Sequence, residues 1–200
     1  MKNNKGFTLI ELIVCMLIFG IIVVAVFGFM ISGAKDYNSL NGRADIQMDS
    51  QLTMNFLSNY LMNCDEAIYI HKTDSETDET NKIDTICIID KASSGYIAYV
   101  FRYVDADSTL YFSQSTSVTA NADGSFACSM GSQNILSNSV RSFSATKTEE
   151  TKDGSNMISA VNLELSFMNH STEKKCSQTV ALRNKPTAVS ATITYTEQPT

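Results

Sequence analysis

The chain has 200 residues, 44% apolar and 18% charged, which is one domain's worth of material and excludes both a disordered polar tail and a polytopic membrane protein. Fifteen Lys and Arg against 21 Asp and Glu leave a net charge of −6, a poor starting point for holding nucleic acid through its phosphates. Two Pro, nine Gly and no Trp exclude collagen-like and Pro-rich architectures, and two His with five Cys leave little material for a metalloenzyme.

The charges are unevenly spread. Residues 1–6 carry Lys2 and Lys5 and no acid, and residues 12–31 carry no charge at all. Those uncharged residues make roughly 30 Å of helix, the hydrocarbon thickness of a bilayer. A buried core helix of that length would show a polar stripe, and this one has none. The basic leader is expected to stay cytoplasmic, which places the acidic remainder, 13 basic and 20 acidic residues from Ser32 onward, across the membrane.

Two fates are open to such a segment. Ser32-Gly33-Ala34 before Lys35 resembles a small-residue cleavage site, so one reading is a secreted binding domain released after Ala34. Against it, the apolar run exceeds the roughly 7–15 residues of a secretory signal core. An acid, Glu11, also stands four residues into the hydrophobic stretch that begins at Phe7. A carboxylate in lipid costs a few kcal/mol, so its presence there points to function.

The neighbours of Glu11 carry a specific signature. Lys5-Gly6-Phe7-Thr8-Leu9-Ile10-Glu11-Leu12 resembles the type IV prepilin motif: a basic leader ending in Gly, an aromatic, Glu at the fifth position, then an unbroken apolar helix. The resemblance implies cleavage between Gly6 and Phe7 by a membrane-embedded prepilin peptidase, N-methylation of Phe7, and retention of the helix. It implies no cofactor. It further implies that subunits leave the membrane lipid through an assembly-platform membrane protein and pack their helices with other pilin subunits in a homo- or hetero-filament. There Glu11 would pair with the terminal amine of a neighbouring subunit, because an unpaired charge in an apolar bundle is costly. Where major pilins commonly carry a helix proline this chain has Gly28, which favours a minor pilin or a pseudopilin, and the Tyr103-Val104-Asp105 hairpin and Val180-Ala181-Leu182-Arg183-Asn184 resemble the J/W type. A pseudopilin of a type II secretion or DNA-uptake machine is the alternative within the family.

Further along, Met48, Leu52, Phe56, Tyr60, Cys64 and Ile68 fall four apart, flanked by Leu57 and Leu61, and predict an amphipathic stripe packed on a sheet. Residues 32–45 are polar and carry two glycines, a place for the helix to thin or break. With no proline over residues 7–70, a nearly continuous helix on the order of 90 Å is expected. An acidic loop, Thr73 to Lys82, follows Ala67-Ile68-Tyr69-Ile70. Strands are predicted at Ile83–Asp90, Gly95–Val104 and Thr109–Phe112, the last two forming a hairpin through Asp105-Ala106-Asp107-Ser108. Later strands are expected at Val140–Thr146, Met157–Met168 and Ser177–Leu182, followed by a Thr-rich tail. Within Met157–Met168, Ile158, Ala160, Leu163, Leu165 and Phe167 read as the inward face, with a slip at Val161. The fold class is therefore α+β, a long helix packed on a C-terminal antiparallel sheet, as in the pilin fold. Residues 1–6 would be leader, 7–31 transmembrane and filament-core helix, 32–70 amphipathic helix, and 71–200 a β-sheet head with a tail.

Cys15 lies in the membrane helix as an apolar filler. Cys64, Cys87, Cys128 and Cys176 lie in the exported part; they allow three pairings, among which sequence does not choose, and a reduced, buried state is equally open. A Cys128–Cys176 bond would resemble the C-terminal clamp of some pilins. With no C-x-x-C pair, and with His71 and His170 near no cysteine pair, a zinc site is not expected, and both His read as solvated loop residues. No phosphate loop, H-E-x-x-H, G-x-S-x-G or Ser/His/Asp signature occurs, so the chain reads as structural and not as an enzyme. Asp74, Glu76, Asp78 and Glu79 lack EF-hand spacing and read as a solvated loop. Asn169-His170-Ser171 fits a glycosylation sequon, a common triplet. No basic stripe interleaved with aromatics is present, so direct contact with nucleic acid is not expected.

Overall fold

The computed structural model describes residues 8–72, 83–152, 155–169 and 172–195. The chain divides into two units, Met1–Ala44 and Asp45–Thr200. One helix, α1 (Leu9–Asn63, 55 residues), contributes to both. In the first unit the described residues from Leu9 on are helical, and their large apolar side chains are exposed, among them Leu12, Phe19, Ile22, Phe27 and Phe29.

The second unit holds the rest of α1 and, among the described residues, twelve strands. In chain order they are β1 (Ala67–Lys72), β2 (Ile83–Ala92), β3 (Gly95–Val104), β4 (Thr109–Ser115), β5 (Val118–Ala120) and β6 (Phe126–Met130). They continue as β7 (Asn134–Ser137), β8 (Val140–Lys152), β9 (Ser155–Asn169), β10 (Thr172–Ala181), β11 (Thr187–Ala188) and β12 (Ala191–Tyr195). A nine-stranded sheet runs β10-β9-β11-β1-β2-β3-β4-β7, with β8 also paired to β9, and β12-β6-β5 form a smaller sheet. The pairings are antiparallel except for β1 with β11 and β12 with β6, so the expected α+β arrangement holds, with a mostly antiparallel sheet.

Alternation along the central strands explains the layers. Ile86 and Ile88 of β2 and Phe101 and Tyr103 of β3 join Leu57, Leu61 and Ile46 of α1 in one core. Their neighbours Cys87, Ile89, Ala98 and Val100 point the other way and join Phe126, Cys128 and Met130 of β6 in a second core. The nine-stranded sheet is thus covered on one face by the helix and on the other by the small sheet. Each fully buried Leu, Ile or Phe here contributes roughly 1.5–3 kcal/mol. Polar contacts fix the helix on the first face: Ser58 Oγ donates to Gln178 Oε1 at 3.2 Å, and Ser137 Oγ donates to Asp49 Oδ2 at 2.7 Å.

The structure corrects several sequence expectations. The buried face of α1 is Ile46, Ser50, Thr53, Met54, Leu57, Ser58 and Leu61, whereas Met48 and Leu52 are 65% and 59% exposed. A strict four-residue step overshoots a helical turn by about 40°, so the predicted stripe rotates off the sheet towards its N-terminal end. The helix stops at Asn63, short of residue 70. Its last turn closes with Cys64 N donating to Leu61 O and Asn63 Nδ2 donating to Asn59 O. Ile68 and Ile70 then serve better in a strand paired to Ile88 and Ile86. In β9 the inward residues are Ile158, Val161, Leu163, Leu165 and Phe167. The slip is a bulge: β8 pairs Thr148 with Ala160 and Glu149 with Ile158, leaving Ser159 unopposed. The strand expected at Ser177–Leu182 begins at Thr172, and the Thr-rich tail carries β11 and β12. The Asp105–Ser108 turn joins β3 and β4 as expected, with Ser108 at φ 54°.

Candidate functional site

The start of α1 is built by two side chains three residues apart. Thr8 precedes the first helical residue, and its Oγ1 accepts from Glu11 N at 3.4 Å. Glu11 returns the contact: its Oε2 accepts from Thr8 N at 2.9 Å and from Thr8 Oγ1 at 2.8 Å. This is a capping box, which satisfies amide donors that a helix start otherwise leaves without partners. It also places a carboxylate at the positive end of the helix dipole. Sequence reasoning singled out Glu11 and passed over Thr8; the T-x-x-E spacing ahead of an apolar run was the available signal.

Behind the box, α1 is long and apolar enough to cross a membrane, and none of its most apolar stretch is buried. Nothing within 4 Å would meet a Cβ at Gly20, Gly28 or Gly33, so these glycines are not required by close packing within the chain. What the arrangement offers is physical: an apolar rod for lipid or for other rods, with one carboxylate near its tip.

The other sequence candidates fall as follows. Gly6 and Phe7, the acidic loop with Asp74, Glu76, Asp78 and Glu79, and His170 of the sequon lie outside the described residues. Cys15 is exposed on α1. Cys64, Cys87 and Cys128 are buried, Cys176 is half-buried, and all five cysteines are free thiols. Cys87 and Cys128 share the second core, whereas Cys64 belongs to the first and Cys176 packs against it. The fold therefore does not bring Cys128 and Cys176 together. Burial, then the charge of Asp90, pushes the Cys64 thiol up, so it stays protonated.

His71 stacks on Tyr69 with ring centroids 5.9 Å apart. Both line a groove of about 350 Å³ with Thr85, Arg102, Ile193 and Tyr195. The Arg102 guanidinium sits 4.7 Å from the centre of the Tyr195 ring, a cation–π contact. Among the described residues, no group of three or more His, Cys, Asp and Glu side chains is arranged to hold a metal.

Residues 1–32 match the family model described as the prokaryotic N-terminal methylation motif. That range takes in Lys5, Gly6, Phe7, Thr8 and Glu11 together with the whole uncharged run. No curated protein and no solved structure matches the chain.

Proposed function

We propose that this chain, a type IV pilin/prepilin-family protein by its N-terminal methylation motif, is a low-copy structural subunit of a type IV pilus or related filament. It is made as a membrane-inserted precursor with the leader on the cytoplasmic side and the β-sheet head outside. The prepilin peptidase cuts between Gly6 and Phe7 and methylates Phe7. The subunit then enters the filament through α1, exchanging lipid for the helices of other pilin subunits. Glu11 leaves part of its bonding with Thr8 to meet a neighbour's terminal amine. Both members of the capping box lie after the cut, so the mature chain keeps the box.

The observation that carries this reading is the motif at residues 1–32 standing at the head of an unburied apolar helix. Release after Ala34 is disfavoured, because the uncharged run is longer than the roughly 7–15 residues of a secretory signal core. The missing helix proline, with Gly28 in its place, supports the low-copy assignment and keeps the secretion or DNA-uptake pseudopilin as the neighbouring reading.

Mass analysis of the mature N-terminus tests the proposal. N-methyl-Phe7 is expected; a chain starting at Lys35 would overturn it. Glu11→Ala is expected to lower incorporation into sheared filaments at least tenfold while leaving membrane insertion unchanged. Wild-type incorporation of that variant would remove the role given to Glu11.

A further inference from the structure

Four cysteines lie in the second unit, and the fold buries two of them in the same core. Cys87 sits at the middle of β2, opposite Tyr69 of β1 and Val100 of β3. Its side chain points away from the helix into the second core, where it is 0% exposed. Cys128 sits at the middle of β6, opposite Val118 of β5 and Ile193 of β12, and is 1% exposed. The two thiols come from different sheets and are buried in the same core between them. Around them are Ala67, Ile89, Ala98 and Val100 from the large sheet and Phe126 and Met130 from the small one.

The other cysteines are placed differently. Cys64 Sγ lies 3.4 Å from Ala67 O and 3.7 Å from Ile89 O, occupied by backbone carbonyls. Cys176 is on β10, opposite Leu165, and packs against the first core. Cys87 and Cys128 are therefore the pair that oxidation can join with the least movement.

We propose that Cys87 and Cys128 form a disulfide that staples the small sheet β5-β6-β12 to the large sheet through β2. In the reaction each thiol gives up its proton and the pair gives up two electrons as the S–S bond forms. The electrons go to a disulfide donor, a thiol oxidoreductase or oxidised glutathione, whose own S–S bond breaks and takes up two protons as two thiols. Because β12 pairs with β6 through Cys128 and Ile193, the bond also secures the C-terminal strand. Once formed in this dry core it should resist reductants until the small sheet opens.

The pairing does not depend on the filament reading; only its oxidation in cells depends on the head lying outside the cytoplasm. The test uses the full chain in two arms. In one, the chain is extracted from membranes without reductant, alkylated while being unfolded, digested and weighed. In the other, the detergent-solubilised chain is reduced and unfolded, then refolded with reduced and oxidised glutathione and treated alike. A peptide linked through Cys87 and Cys128 is expected in both arms, with Cys64 and Cys176 alkylated. The oxidised head is expected to melt on the order of 10 °C above the reduced one. A link through Cys64 or Cys176 instead, or no link in either arm, overturns the proposal. A Cys87–Cys128 link in the refolded arm alone sustains the pairing and counts against the head's placement outside.

Discussion

Phe19 and Phe101 are the same side chain in two settings. Phe19 lies on the N-terminal stretch of α1 and is 64% exposed; Phe101 lies on β3 and is fully buried against Phe56, Tyr60 and Phe112. In the head, apolar residues are used up by the chain itself, on both faces of one sheet. In the first unit the described ones are almost all exposed, which leaves them open to cover by lipid or by other subunits. Apolar content alone therefore does not separate a core from an assembly surface. What separates them is whether the fold supplies a partner.

The comparison breaks most sharply by the same truncation made twice. Phe101→Ala is expected to destabilise the head by about 3–5 kcal/mol, because it leaves a cavity among three aromatic rings. Phe19→Ala is expected to leave head unfolding unchanged, since no atom of the head core is lost. Denaturant unfolding of the full chain in detergent, followed by near-ultraviolet circular dichroism, reads both. Equal losses would mean that the N-terminal stretch contributes to the head's core after all.

The two regions were also unequally legible in the sequence. The first unit could be read from order and spacing, because an uncharged run, a leader glycine and one acid are local features that need no knowledge of contacts. In the head, β2, β3 and β4 were legible from their β-branched and aromatic residues and from the Asp-rich turn. The small covering sheet was not. Val118–Ala120 and Phe126–Met130 are short and mixed in polarity, and β12 hides in a Thr-rich tail. A signal for a second layer was nevertheless present: Ile86-Cys87-Ile88-Ile89 and Tyr96 to Phe101 are apolar at successive positions, which a strand tolerates only when both faces are covered. The Met48–Leu52 misreading has the opposite origin. The pattern was there, but it drifts around the helix, and only the sheet's position decides which part of it is buried.

Next in size is the cap at the tip of α1. Thr8→Ala removes the hydroxyl that bonds both Glu11 N and Glu11 Oε2, while Thr8→Ser keeps it. Incorporation into filaments is expected to fall several-fold for Thr8→Ala and to recover in Thr8→Ser, with head melting untouched in both. Equal incorporation by Thr8→Ala and wild type would mean that a free Glu11 performs as well as a held one.

A smaller effect is expected at Gly124, in the turn between β5 and β6. Its φ is +82°, its N–H donates to Asn121 O at 3.1 Å, and an added Cβ would meet nothing within 4 Å. Gly124→Ala therefore isolates backbone strain from crowding and should cost about 1 kcal/mol of head stability. A neutral result in denaturant unfolding would show that the turn relaxes to another conformation.

The smallest effect concerns charge at the corner where α1 hands over to the sheet. Asp65 N donates to Asp90 Oδ1 at 3.2 Å, and Lys91 N donates to Asp65 Oδ1 at 2.9 Å, so the two carboxylates tie the helix end to β2 and stand close to each other. Burial, and further the charge of Asp65, raise the Asp90 carboxyl above its ordinary value, against the opposing pull of the Asp65 amide. The folded chain therefore binds this proton more tightly than the unfolded chain does. Stability from this group rises as pH falls through the raised folded value and is lost again as pH climbs, so at neutral pH the native state carries the full cost of the charge. Asp90→Asn keeps an Oδ1 to accept from Asp65 N and removes that charge. Its melting temperature at pH 7 should exceed wild type by about 1–2 °C, and the gap should close towards pH ~4. A variant less stable than wild type at every pH would show that the charge on Asp90 strengthens the corner instead of straining it.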